Sequence, residues 1–354
     1  MSEPWPTQVA VIGGGQTGLS VGYFLRRRKI DFMIFDGETA AGGAWKHAWP
    51  SLRLFSPASY SSIPGWPMPA GDGQDHPSRD AVVAYLRAYE VRYQLPVCRP
   101  CPVQSLAVEH DRFHVRTDRG TWTARAVIMA TGTWGQPHVP DYPGRDRFGG
   151  TQVHSAHYAG PDAYRGKRVI VVGGGNSGAQ IMAELSEVAT ATWVTPEPPQ
   201  FLPDNVDGRA LFDRATARWR AQQAGEPVPP APSLGDIVMV PSVKAARERG
   251  ALTARRPFVA IEKDGVTWPD GSFERADAIL WCTGFRPATQ LLEPLGVVLT
   301  DGRVRVDEGQ AADLPGLWLA GYGDWTGPAS ATLMGITRYA RATVDAVAGY
   351  LAAS

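Results

Sequence analysis

Apolar and polar positions along the chain follow two periods in turn. Val9–Ile12 is a short unbroken apolar run, Thr17–Arg28 has helical spacing and ends in a basic turn, and Phe32–Phe35 is a second apolar run closed by Asp36. Strand, helix and strand in that order predict a β-α-β unit. Ala40–Pro77 follows neither period. It is rich in Gly, Trp, Pro and Ser, and it is too long for a plain connector, which predicts a segment that holds or covers a ligand. Ser78 is placed to cap a helix over Arg79–Tyr93. Val103–Val108, Phe113–Thr117 and Trp122–Arg125 alternate as a meander, and Ala126–Ala130 is a buried strand that runs into Thr131-Gly132.

The opening pattern then returns. Val169–Val172, Ser177–Glu187 and Ala191–Val194 make a second β-α-β unit. Asn205–Pro257 predicts two helices around the Pro-rich "GEPVPPAPSLG", a helical insertion at about residues 200–257 that covers something. Short strands resume at Phe258–Ile261, Val266–Trp268, Ala278–Trp281 and Leu317–Ala320, and Met334–Leu351 is a closing helix. The pattern predicts an α/β fold with two dinucleotide-binding, Rossmann-like domains, each a three-layer arrangement around a parallel sheet. The second domain, residues 156–284, is inserted in the first, which is discontinuous over 1–155 and 285–354.

Both units carry the same glycine spacing. Gly13-x-Gly15-x-x-Gly18 and Gly173-x-Gly175-x-x-Gly178 each follow a strand and open a helix. The first glycine permits the turn, the second lets backbone approach a pyrophosphate, and the third lets helix pack on strand, with the helix N-terminus facing the phosphate. Gln16, Thr17, Asn176 and Ser177 sit in the first helical turns. Asp36 ends the next strand roughly 20 residues on, where a carboxylate accepts from ribose hydroxyls. The second unit has no such acid. Its strand ends in "TWVTPEP", with Thr195 nearest the ribose position and neither a carboxylate nor an arginine there, so the nicotinamide preference stays open. Gly43-Ala44-Trp45 offers close backbone approach and a flat wall for a ring system. Thr131-Gly132 and "GYGDW", Gly321–Trp325, place small residues at strand ends.

Composition adds exclusions. The chain has 354 residues, 44% apolar and 20% charged, with zero formal net charge. No basic face marks a nucleic-acid reader, and no apolar run approaches the roughly 18 residues of a membrane span. The three cysteines fit a reducing compartment, and a cytoplasmic enzyme is expected, with no metal site; a homodimer is compatible with all of this. Cys98-Arg-Pro-Cys101 has the spacing of a redox pair, but it follows the Arg79–Tyr93 helix at the entrance to the meander. Its flanking prolines do not suit the helix N-terminus that activates a thiol.

Between the glycine loops lies Phe148-x-Gly150-x-x-x-His154-x-x-x-Tyr158. With both loops, "GGAW", "ATG" and "WCTGFRP", it resembles class B flavin monooxygenases, which include flavin-containing, Baeyer–Villiger and N-hydroxylating enzymes, almost end to end. The stretches "HAWPSLRLFSPASYSSIPGWPMPA", "FLPDNVDGRALF", "GDIVMVP" and "GYGDWTGPASATL" resemble the flavin monooxygenases found with arsenic-resistance genes, the ArsO type. The resemblance implies FAD in the first domain, with Gly13, Gly15, Gln16, Thr17, Gly18, Asp36, Gly43, Ala44, Trp45, Val103, Thr131, Gly132, Asp324, Leu333 and Met334 around it. It implies NADPH, with NADH also accepted, on Gly173, Gly175, Asn176, Ser177, Gly178 and Thr195. It implies O2 activation through a C4a-(hydro)peroxyflavin and oxygenation of a small soft nucleophile: sulfur, nitrogen or trivalent arsenic. His154, in the linker, would couple domain movement. Family members often place an Asn near the flavin. The matching segment here is Leu54-Phe55-Ser56, which leaves Ser56 as its replacement, and Arg256 occupies a place comparable to the Baeyer–Villiger arginine. Two other readings remain: an NAD(P)H:acceptor reductase or oxidase without oxygen insertion, and a flavin redox sensor.

Overall fold

The computed structural model describes residues 4–70, 76–204 and 236–353, with scattered positions between 205 and 235. Two sheets built on parallel strands organise it. The first runs in the order Val306–Asp307, Gln310–Ala311, Leu317–Leu319, Gly120–Met129, Trp5–Ile12, Phe32–Phe35, Val97–Cys98. Trp5–Ile12 is central, parallel to Phe32–Phe35 on one side and Gly120–Met129 on the other. Val9 and Val11 face a core filled by the helices Gln16–Arg27, Arg79–Arg92 and Ile336–Ala353. Ala10 and Ile12 face a second core closed by the meander strands Val103–Glu109 and Arg112–Thr117. Burial on both faces explains why this strand reads as an unbroken apolar run. The two runs read as Trp122–Arg125 and Ala126–Ala130 are one strand, Gly120–Met129, pairing antiparallel with Arg112–Thr117 and parallel with Trp5–Ile12.

The second sheet is all parallel: Ala254–Arg255, Thr190–Val194, Arg168–Val172, Ala278–Trp281, Thr151–His154. Thr151–His154, read above as linker within residues 1–155, is its edge strand. The second sheet thus begins before residue 156, because Ala278–Trp281 offers a free ladder that the linker completes. The runs Phe258–Ile261 and Val266–Trp268 do not join it. They become Ala260–Glu262 and Gly265–Thr267 of a separate antiparallel sheet with Phe273–Arg275. Within the expected insertion a helix spans Pro241–Glu248, while residues 228–235 of the Pro-rich stretch lie outside the described residues.

Two connections position the site. The Ala40–Pro77 loop sends Leu54, Ile63 and Met68 into the first core and Trp49, Leu52 and Phe55 against the core between the second sheet and its helix Asn176–Leu185. Tyr85 and Tyr89 hold it to their helix by donating to the Trp66 and Pro64 carbonyls, each at 2.6 Å. The two crossings between the sheets pair with each other: Ala288 N donates to Gly132 O, Arg286 N to Gln136 O and His138 N to Gly284 O, at 2.8–2.9 Å. Among the described residues no helix is long and apolar enough to cross a membrane.

Candidate cofactor and active site

At the end of Trp5–Ile12 the chain turns through Gly13, at φ +114°, and enters the helix Gln16–Arg27 with Gly15 as N-cap. No side chain caps that helix and no acid occupies its first turn, so the opening N–H groups and the positive end of the helix dipole remain for a ligand. The three glycines differ. A Cβ on Gly13 would strike the Ala130 carbonyl, and one on Gly18 the Gly13 carbonyl; both glycines serve packing. A Cβ on Gly15 would meet nothing nearer than Gly43 Cα at 3.8 Å. Gly15 is extended, φ −80° and ψ −167°, so the fold does not demand glycine there and the open face is a cradle.

The second loop repeats this. Gly173 turns at φ +129° against the Cys282 carbonyl, and Gly178 abuts the Gly173 carbonyl. Gly175 opens onto free space at the uncapped N-terminus of Asn176–Leu185. The two cradles lie at the carboxyl ends of central parallel strands in the two sheets, where open α/β folds hold ligands.

Around the first cradle, Trp45 Nε1 donates to Gln16 Oε1 at 2.8 Å and Gln16 Nε2 to Ala331 O at 2.7 Å. That chain ties the Gly43–His47 turn, with exposed Ala44, to the segment before the last helix. Thr17 Oγ1 lies against Gly321, whose Cβ it would block. Thr131 Oγ1 is 2.6 Å from both the Ala288 carbonyl and the Tyr322 hydroxyl, and Gly132, at φ +65°, opens onto free space. Asp36 is buried at its strand end, accepting from Glu38 N at 3.2 Å and Arg99 Nε at 2.7 Å. Val103 sits half-buried in the meander opposite Thr117. Asp324 is exposed, Leu333 is in the first core, and Met334 packs near Phe55, Tyr60 and Ala329. The last helix starts at Ile336, so Leu333 and Met334 belong to the turn before it.

Models of the pyridine nucleotide-disulphide oxidoreductase family match residues 10–205 and 236–337, the first alone covering more than half of the chain. A flavin-containing monooxygenase from Stenotrophomonas maltophilia is 51% identical, with a TM-score of 0.90 over 98% of this chain and 99% of that one. This chain belongs to the flavin monooxygenase superfamily. The enzyme is also 32% identical to an uncharacterized CzcO-like oxidoreductase of Geobacillus kaustophilus, over 78% of this chain and 80% of that one. It is 27% identical to the indole-3-pyruvate monooxygenase YUCCA1 of Oryza sativa subsp. japonica, over 80% and 78%.

In this flavin monooxygenase the fingerprint residues are anchored. His154 is buried at the end of its edge strand; Nδ1 accepts from Ala156 N at 3.1 Å and Nε2 donates to Gly284 O at 2.9 Å. That carbonyl also accepts from His138 N, so His154 clips the paired crossings between the sheets. Burial holds its pKa below the ordinary histidine value, which favours this neutral tautomer. Asn176 uses both ends of its amide on backbone, donating to Asp236 O at 3.1 Å and accepting from Val238 N at 2.9 Å. It fastens the 236–240 segment beside the second cradle. Ser177 is half-buried in the same turn, and Thr195 is buried at its strand end, against Gly174.

Two residues expected to act in catalysis have their polar groups engaged elsewhere in this structure. Arg256 is 60% exposed, donating to Glu197 at 3.0 Å and to the Pro196 carbonyl. That is a solvated ion pair at a sheet rim. The Ser56 hydroxyl is 2.9 Å from that of Ser61, which itself donates to Pro57 O at 2.9 Å. The Ser56 proton is therefore already placed within the loop. Cys98 and Cys101 are free thiols. Cys101 is buried, and desolvation, then its contact with Cys98, pushes it up to about 11, which leaves it an inert thiol near neutral pH.

The pattern alone missed one polar bridge. Glu184 accepts from Tyr158 at 3.0 Å and from Ser51 at 2.5 Å, joining the long loop to the second sheet's helix. Burial raises its pKa. Its signal in the sequence was a lone acid in the otherwise apolar run "IMAEL".

Proposed function

We propose that this chain is an NAD(P)H-dependent FAD monooxygenase that transfers one oxygen atom of O2 to a small soft nucleophile, sulfur, nitrogen or trivalent arsenic. The other atom leaves as water, with NAD(P)H supplying the electron pair. Two open-faced glycine cradles, at Gly15 and Gly175, on sheets joined by two paired crossings carry this reading, because hydride transfer between two dinucleotides needs both in one chain.

The residues present fit the two cofactors. The N-terminus of Gln16–Arg27 would hold the FAD pyrophosphate above Gly15, Asp36 would accept from the adenosine ribose, and Gln16 and Trp45 would wall the ring side. The N-terminus of Asn176–Leu185 would hold the nicotinamide dinucleotide above Gly175, with Thr195 at its ribose. NADPH is the donor implied by family likeness, and NADH is proposed to be accepted because no free guanidinium fork stands at Thr195 among the described residues; Arg256 is already paired with Glu197. Bound FAD supplies hydride acceptance and O2 activation. The chain contributes orientation, exclusion of water by the Gly43–His47 turn and the Trp325 segment, and the His154 clip, which governs how the cradles close on each other. Trivalent arsenic stands in the proposed substrate class beside sulfur and nitrogen with no preference among them, and the enzyme is proposed to work in the cytoplasm.

Coupling tests the reading. NAD(P)H consumption, H2O2 yield and product are measured with an aryl sulfide, a tertiary amine and arsenite. At least one substrate is expected to yield oxygenated product that accounts for the NAD(P)H not recovered as H2O2. H2O2 that matches all NAD(P)H with every substrate would make this an oxidase.

A further inference from the structure

The turn Ala48–Leu52 is rooted in the first unit and seated on the second. Arg79, which opens the helix Arg79–Arg92, holds its base, donating from Nη1 to Ala48 O at 2.8 Å and from its backbone N–H to Leu52 O at 3.0 Å. Leu52 N closes the turn on Trp49 O at 3.1 Å. The tip crosses over. Trp49 is 3% exposed and packs in the core between the second sheet and its helix, edge-on to Tyr158 with ring centroids 6.1 Å apart. Ser51 is exposed and donates to Glu184 Oε1 at 2.5 Å, while Tyr158 donates to Oε2 of the same carboxylate at 3.0 Å.

Glu184 therefore holds one hydroxyl from each unit, one on each oxygen. Packing does not call for an acid there: an apolar side chain of similar volume would fill the same place in "IMAEL" without the cost of desolvating a charge. What the carboxylate adds is two acceptors in one fixed plane. Its place in the chain gives the bridge a consequence. Gly43–His47, the turn tied to the first cradle through Trp45 and Gln16, runs straight into the seated turn, with Ala48 N donating to Trp45 O at 3.3 Å. The helix that carries Glu184 starts at the second cradle, with Gly175 as its N-cap about 13 Å of helix away.

We propose that Glu184 is a positioning residue for hydride transfer between the two cradles. By receiving Ser51 and Tyr158 together, it fixes the cover of the first cradle to the helix that holds the second. The step it serves moves one proton and two electrons, as hydride, from the dihydronicotinamide to the oxidised flavin, leaving NAD(P)+ and reduced flavin. Such a transfer tolerates little misplacement, about 1 Å costing about 100-fold. This rests on FAD in the first cradle and NAD(P)H in the second.

The test compares wild type with Ser51→Ala, Glu184→Leu and the double variant. Backbone hydrogen exchange over residues 48–52 reads the seat without turnover. Anaerobic stopped-flow reduction by saturating NADPH reads the step, and titration with NADP+ reads binding. Ser51→Ala is expected to exchange about tenfold faster at Leu52, the worth of a hydrogen bond to a charged group, and to lower the limiting reduction rate about 10–100-fold. Its NADP+ affinity and urea stability are expected to stay within about twofold of wild type, a split that a merely structural role would not produce. The double variant is expected to be no slower than Glu184→Leu, because both substitutions break one bond. A limiting rate in Ser51→Ala within twofold of wild type overturns the proposal, whether or not exchange quickens, and so do effects that multiply in the double variant. Should Glu184→Leu not fold, Ser51→Ala, on the surface, decides alone. A wild type that NADPH does not reduce would instead reject the two-cradle reading, and this proposal with it, a result distinct from a reduced wild type with an unaffected variant.

Discussion

Gly15→Asp separates the cradle from the fold. Gly15 has the extended backbone of an N-cap and open space where a Cβ would go. Aspartate is as good an N-cap as any residue, a few tenths of a kcal/mol better than glycine, and its charge favours the helix dipole by about 0.3–1 kcal/mol. The flavin-free variant should therefore be at least as stable as flavin-free wild type. Its flavin affinity should collapse. One carboxylate about 4 Å from one phosphate charge costs about 4 kcal/mol at an effective dielectric near 20, or about 1,000-fold in Kd. Gly18→Ala is the control. Its Cβ would enter the Gly13 carbonyl, and such overpacking costs about 1–3 kcal/mol with no flavin present. Urea unfolding of the deflavinated proteins reads the first effect, and fluorescence titration with FAD the second. Gly15→Asp with flavin affinity within tenfold of wild type, or with a stability loss like that of Gly18→Ala, would refute the division between cradle glycine and packing glycine.

Gly175→Asp is expected to keep flavin and lose its reduction by NAD(P)H by about 1,000-fold on the same electrostatic argument, while dithionite still bleaches it; stopped-flow reduction checks this. NADH should serve as donor, with NADPH preferred by less than about 1,000-fold in kcat/KM, about 4 kcal/mol, and steady-state kinetics with both donors would expose a hidden phosphate reader. His154, whose pKa is depressed by burial, binds fewer protons folded than unfolded near pH 6. Its contribution is present above its ordinary value of 6.5 and is lost as the pH falls through the depressed one. His154→Gln should remove that part of the pH dependence, read as the wild-type-minus-variant difference in urea stability between about pH 8 and about pH 5; parallel curves would show that the clip does not titrate. Cys98→Ser and Cys101→Ser should keep turnover, since Cys101 is buried and its thiol sits near 11; loss of NAD(P)H oxidation in either would revive a redox pair.

What the sequence disclosed and what it hid follow from range. The β-α-β units around Gly13–Gly18 and Gly173–Gly178 are local patterns whose strands, helices and turns each carry their own signal, and the structure forms them at nearly the expected bounds. Thr151–His154 escaped as a strand because it is short and pairs only with Ala278–Trp281, more than a hundred residues away. Phe258–Ile261 misled for the opposite reason: its apolar run is real, but Lys263-Asp264 turns it back on Gly265–Thr267 as a hairpin. Arg256 and Ser56 were singled out by position in a motif, and only their partners, Glu197 and Ser61, reveal that their polar groups are occupied. Arg99 carries no local signal, because its partners Asp36 and Glu90 lie on other elements, Asp36 63 residues away.

Oxygen insertion is the central claim, and isotope transfer tests it most directly. Purified enzyme turns over NADPH with an aryl sulfide under 18O2, with catalase present to remove free H2O2, and the sulfoxide is analysed by mass spectrometry. Heavy oxygen is expected in the sulfoxide, in the same yield with catalase as without it. NADPH consumption with no labelled sulfoxide, and a yield that vanishes when catalase is added, would contradict it and leave a flavin oxidase.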